Sequence, residues 1–258
     1  MKRILIAATA CMALLGGSAL AADLPPAAPA AYIPPPPPPP AFTWTGCYVG
    51  AGAGYAMWNQ DAYTETYPGL TALTQTSTFG GRGEYGQGAV GCDYQIFSSI
   101  VVGAFGDYSF MNVHGQFTEP FAGGTGEEKQ SGMWAAGVRG GLLVTPHFLT
   151  YINGGWTGTH FNQINMTPTF VGGVSAIINA TTYNGWFLGG GAETSLENFL
   201  GFGLPRGLFL RNEYRYTYYS AKDDPILTTA GAPTGGAVHV QKYDQMLTTA
   251  VIFKFNWQ

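Results

Sequence analysis

Eight ionisable residues stand out by type and position: Asp93, Asp107, Arg139, Glu193, Arg211, Glu213, Arg215 and Lys254. Each falls where the chain alternates between apolar and polar residues, and each takes the polar phase, so four cations and four carboxylates are expected on one shared face. Enclosed together, they should form a network of ion pairs that fills the space between them. His114, His160 and His239 fall on three separate long connections expected at one rim. Three imidazoles so placed could converge on haem iron or another metal. Flexible connections of about twenty residues rarely fix three ligands without supporting groups, so solvated histidines and no metal are expected. Signatures of catalysis are missing: no G-x-S-x-G elbow, no HExxH and no cysteine pair at zinc spacing. Gly81-Arg82-Gly83-Glu84-Tyr85-Gly86 matches G-x-G-x-x-G, but an alternating segment follows it where a phosphate site needs a helix. No enzyme, catalytic residue or cofactor is expected.

The elements that must hold these side chains are strands. Only 10% of the 258 residues are charged, whereas soluble proteins carry about 25%. Glycine reaches 38 residues and aromatics 14%, which suits bent strands and interfacial rings better than helices. A net charge of −4 lacks the basic footprint of a nucleic-acid binder, so DNA and RNA are excluded as partners. In the last segment Leu247, Thr249, Val251, Phe253, Phe255 and Trp257 alternate with residues that include Lys254 and Asn256. Similar segments occur at Thr43–Trp58, Gly83–Phe97, Ile100–Asn112, Gly132–Val144, His147–His160, Tyr183–Leu196 and Leu208–Tyr219. Each reaches the roughly 9–11 residues that a tilted strand needs to cross a bilayer. Parity puts Leu210, Tyr214, Trp134, Val138, Trp186 and Leu188 outside and the eight ionisable residues inside. His147–His160 does not resolve, because Tyr151 supports one parity and Ile152 with Trp156 the other.

Short links near residues 97–99, 145–147 and 199–205 alternate with long ones at 59–82, 113–131, 161–182 and 220–238. The fold expected is all-β: an eight-stranded antiparallel up-and-down transmembrane β-barrel over residues 43–258. Residues 1–21 read as a cleavable export signal, with Lys2 and Arg3 before an apolar run that ends at Ala19-Leu20-Ala21. Residues 22–42 read as a periplasmic linker, whose run Pro25 to Pro40 excludes helix and sheet and offers a possible docking point for a periplasmic partner. The long connections carry Asp61, Glu65, Glu119, Glu127, Glu128, Asp223 and Asp224, a set suited to solvation or to divalent-cation bridges with lipopolysaccharide. Cys47 and Cys92, the two cysteines left after cleavage, fall at the same end of antiparallel neighbours with outward parity. Facing positions there are about 4.5–5.5 Å apart, within disulfide reach in an oxidising compartment. Two lipid-facing thiols are the other reading.

Thr43-Trp44-Thr45-Gly46-Cys47-Tyr48-Val49-Gly50 resembles the first strand of the alphaproteobacterial outer-membrane immunogenic protein family. Gly91-Cys92-Asp93-Tyr94-Gln95, Val102-Gly103-Ala104-Phe105-Gly106-Asp107 and Glu213-Tyr214-Arg215-Tyr216 resemble its later strands, and Ala22-Asp23-Leu24-Pro25 its mature start. The resemblance covers residues 22–258. It implies a small surface-exposed barrel in the outer membrane, without enzymatic activity and assembled by the barrel-assembly machinery through the C-terminal strand; for some relatives it also implies haem binding. Two positions depart from the pattern: Phe105 replaces a frequent acidic residue, and the chain ends on Gln258, leaving Phe255 or Trp257 as the closing aromatic. The function expected is that of a structural envelope protein with an ion-paired, plugged lumen. The alternative is a narrow porin or a barrel for uptake of haem or another small solute.

Overall fold

The computed structural model describes residues 43–168, 175–197, 205 and 207–255. The export signal, the proline-rich linker and Trp257 with Gln258 lie outside the described residues. Period-two patterning makes every regular element here a strand. They are β1 (Gly46–Thr66), β2 (Ser77–Gln95), β3 (Ile100–Thr118), β4 (Thr125–Thr145), β5 (Phe148–Phe161), β6 (Ile164–Met166), β7 (Ala176–Ile178), β8 (Thr181–Ser195), β9 (Leu208–Tyr219), β10 (Lys222–Thr228) and β11 (Pro233–Phe255).

Neighbours pair antiparallel, and β11 returns to β1 in an unbroken register from Cys47↔Phe255 to Thr66↔Gly236, which closes the barrel. The eleven strands make eight staves. β6 continues β5, β7 continues β8 and β10 continues β9, because β6, β7, β10 and β11 pair in the order that β5, β8, β9 and β11 follow lower down. Breaks at 162–163, 179–180 and 220–221 separate the pieces, and backbone bonds such as Asn162 N–H to the Lys129 carbonyl (2.9 Å) and Ser220 N–H to the Asn184 carbonyl (2.9 Å) tie neighbouring strands together at two of them.

The long connections differ from the sequence reading. β1 runs on to Thr66 and β2 begins at Ser77; β3 reaches Thr118 and β4 starts at Thr125; β11 starts at Pro233. Most of the four expected loops is therefore ladder, and the barrel rises as a collar beyond the apolar belt. Outside the bilayer both faces of a strand meet polar surroundings, so hydropathy alternation fades while backbone pairing continues.

The outer surface shows where the belt lies. Val90, Val138, Leu142, Ile152, Leu188, Leu247 and Val251 are exposed on it. One aromatic band contains Trp186 stacked on Tyr218 (5.7 Å) and Tyr218 against Tyr243 (5.5 Å); at the opposite edge Phe253 meets Phe255 (4.9 Å). About ten residues of β11 separate the bands, or roughly 25 Å of height at 3.3 Å per residue and a 40° tilt, which matches the apolar girdle of outer-membrane barrels. β5 resolves as Ile152 and Trp156 out and Tyr151 in.

Two aromatic clusters fill the interior: Trp44, Tyr48, Phe105, Tyr151, Phe187 and Phe209 toward the short-turn rim, and a second around Trp58, Phe161, Tyr183 and Tyr219. Cross-strand partners Gly81 and Gly115 make room for the Trp58 indole, since a Cβ at either would come within 2.5 Å of it.

Candidate functional site: the ion-paired lumen

The alternation along β2, β3, β4, β8, β9 and β11 turns one polar residue after another into the narrow interior of an eight-stave barrel. The structure brings all eight sequence-derived ionisable residues into that interior. Glu193, fully buried on β8, is the hub: Oε2 accepts from Arg139 (3.0 Å) and Arg211 (2.9 Å), and Oε1 lies 2.8 Å from the Lys254 ammonium. Asp93 takes Nε of Arg139 at 2.8 Å, a second bond from Arg139 Nη2, and Lys254 at 2.9 Å. A step further from the short turns, Arg215 pairs with Asp107 (2.8 Å) and Glu213 (2.8 Å). The first group holds three cations and two carboxylates, the second one cation and two carboxylates. Each is off balance by one charge, with opposite sign, so the two neutralise each other.

Neutral groups join them. The Tyr151 hydroxyl and the Asn153 amide each donate to Glu213 Oε2 at 2.8 Å, while the Tyr151 ring lies 5.0 Å from the Arg139 guanidinium. Aromatic faces cover each cation: Arg211 is 4.6 Å from the Tyr48 ring, Lys254 4.3 Å from Trp44, and Arg215 4.4 Å from Phe187 and 5.7 Å from Phe105. Phe105, the departure from the family pattern, thus supplies a quadrupole face to Arg215. Beside these pairs a void of about 10 Å³, bordered by Asp107, Arg211, Glu213 and Arg215, is room for about one water.

A second polar layer, which sequence reasoning missed, lies toward the far rim. Buried Lys242 donates to Glu128 and Gln60, and Gln60 donates to Glu128 at 2.7 Å. Buried Asp244 accepts from Tyr219 (2.8 Å) and Gln130 (2.6 Å), and Asp224 accepts from Tyr183 and Thr181. Glu119 accepts from Thr64 and from the amides of Phe121 (2.9 Å) and Ala122. A usable signal existed: the even-numbered inward phase of the last strand, continued upstream from Met246, reaches Asp244 and Lys242.

The acidic residues assigned to loops therefore divide. Glu65, Glu119, Glu128 and Asp224 are buried, whereas Glu127 stays outside. The three histidines do not converge and lie in strands. His114 sits on β3 against Glu127 (2.9 Å) and Asn112 (3.0 Å), His160 on β5 against Thr182 (3.2 Å), and His239 on β11 against Asp223 (2.6 Å). On the collar's outer face, burial first and the Asp223 carboxylate second hold the Glu65 carboxyl above its ordinary range, with His239 opposing. At the short-turn rim Cys47 and Cys92 are directly paired in register and joined by a disulfide.

No known family's sequence model matches the chain. The chain is 27% identical over 229 residues to the 31 kDa outer-membrane immunogenic protein of Brucella melitensis, a match covering 84% of this chain and 87% of that one, and equally to its namesake in Brucella suis. Among solved structures it resembles the outer membrane protein OprG of Pseudomonas aeruginosa (TM-score 0.47, 13% identity, 82% of this chain and 97% of that one). It also resembles the outer membrane protein AlkL (TM-score 0.44, 14% identity, 88% and 99%). With a closed eight-stave wall, an apolar belt between aromatic bands and this kinship along most of its length, the chain is a homologue of the Brucella 31 kDa outer-membrane immunogenic protein and an outer-membrane β-barrel protein.

Proposed function

We propose that the protein is a non-enzymatic structural component of the outer membrane whose lumen is sealed by its ion pairs. The observation that carries this is the network on Glu193 and Asp93, where three cations from three strands meet two carboxylates across the full bore. A second ion-paired layer, Lys242 with Glu128, supports the same reading. In this reading the short turns and the proline-rich linker face the periplasm, the collar faces outward among lipopolysaccharide, and the C-terminal strand engages the barrel-assembly machinery. Planar-bilayer recording with purified protein tests it: a closed baseline is expected, and large steady unitary steps would overturn the sealed lumen.

A second reading rests on one feature. At the far rim a cavity of about 460 Å³ is lined by Leu73, Phe121, Met166 and Ile226, with Thr64 and Glu119 as polar groups. That volume suits a small, mostly apolar solute. Binding of an apolar fluorescent dye that Ile226→Trp abolishes would support it; equal dye binding by the variant would remove it.

A further inference from the structure

Three ligand-bearing residues meet on the collar's outer face, away from the lumen network. Cross-strand register sets His239 of β11 directly between Tyr63 of β1 and Asp223 of β10. Glu65 is two residues along β1, covered by the turn that brings Ala72 back against it. The ligand atoms of Glu65, Asp223 and His239 lie within 4.8 Å of one another. His239 Nδ1 is 2.6 Å from Asp223 Oδ1, and the Tyr63 ring stacks on the imidazole at 4.8 Å and 18°, which fixes its plane.

Glu65 makes this more than an acidic cluster. It is only 2% exposed, and its Oε1 has no hydrogen-bond partner among the described residues. Nor does any Lys or Arg among them pair with Glu65 or Asp223. Two carboxylates are thus held together, one of them out of water, with a single imidazole as counter-group. A buried oxygen left unpaired is costly, and a cation would satisfy it. The ligands stand on three hydrogen-bonded strands, so the objection to three mobile loops does not apply.

We propose that Glu65, Asp223 and His239 bind a zinc-class divalent cation. Imidazole with carboxylates suits zinc and its neighbours, whereas calcium and magnesium prefer oxygen alone. Three protein ligands plus water complete a tetrahedron, whose bonds of about 2.0–2.2 Å set ligand atoms roughly 3.4 Å apart. Side-chain rotation closes the remaining distance, and the cation takes the place of the proton shared by His239 and Asp223.

The test uses the full mature chain folded in detergent. Zinc titrated by calorimetry should saturate near one equivalent, and cobalt should give a visible absorption band in the unmodified protein. Glu65→Gln and His239→Ala should each weaken zinc binding at least about tenfold. His114→Ala, which removes the exposed histidine paired with Glu127, should leave it unchanged. Heat-dependent gel migration checks that each variant is folded, and the cobalt spectrum of the unmodified chain stands whether or not a variant folds. Absence of saturable zinc binding, equal affinity in Glu65→Gln, or equal competition by calcium would overturn the proposal.

Discussion

At the scale of single residues, Glu193 is the most exposed to argument because, among the described residues, it alone meets three cations. Neutralising it strands Arg139, Arg211 and Lys254 with Asp93 as their only carboxylate, and leaving buried charges uncompensated costs about 3–5 kcal/mol. Glu193→Gln should therefore lower the free energy of unfolding in lipid, read from urea titration, by an amount in that range. Asn112→Ala, which removes an exposed contact on the outer face, should leave that free energy within about 0.5 kcal/mol of its original value. Crowding gives a second case. Gly81→Val would press a branched side chain into the Trp58 indole, and overpacking of this kind costs about 1–3 kcal/mol, readable in the same unfolding measurement.

At the scale of elements, the disulfide joins β1 to β2 where both reach the short-turn rim. Cys47 and Cys92 should react with no thiol reagent until reduced, and then expose two thiols; labelling of either before reduction would contradict the bond. How far each element was legible depended on what lay outside it. β9 was plain because lipid outside and charge inside alternate in Leu210, Arg211, Asn212, Glu213, Tyr214 and Arg215. The upper halves of β1 and β11 were not, since Asp61, Tyr63 and Glu65 face outward at a height where the surroundings are aqueous, and polar residues there mimic a loop. Lys242, Asp244 and Glu128 escaped for that reason, and β6, β7 and β10, of three to seven residues, are too short for any period to declare itself. Amide exchange can separate ladder from loop: residues 59–66 and 236–245 should be protected as strongly as the belt residues of the same strands, and fast exchange there would show loop.

At the scale of the whole molecule, the folded barrel should migrate faster than its boiled form on a gel, since a closed sheet binds less detergent than an open chain. The seam decides when that state is reached. β1 and β11 share one of the longest registers in the wall, yet they are the first and last strands of the folded part. Pairing across the whole sequence is the slowest kind to find. Until β11 has been delivered, every earlier hairpin waits with two raw borders, each able to template on a neighbour. Synthesis and export must thus be complete before the molecule becomes insoluble in the right place, so a chain truncated before Lys242 should accumulate as protease-sensitive aggregate outside the membrane.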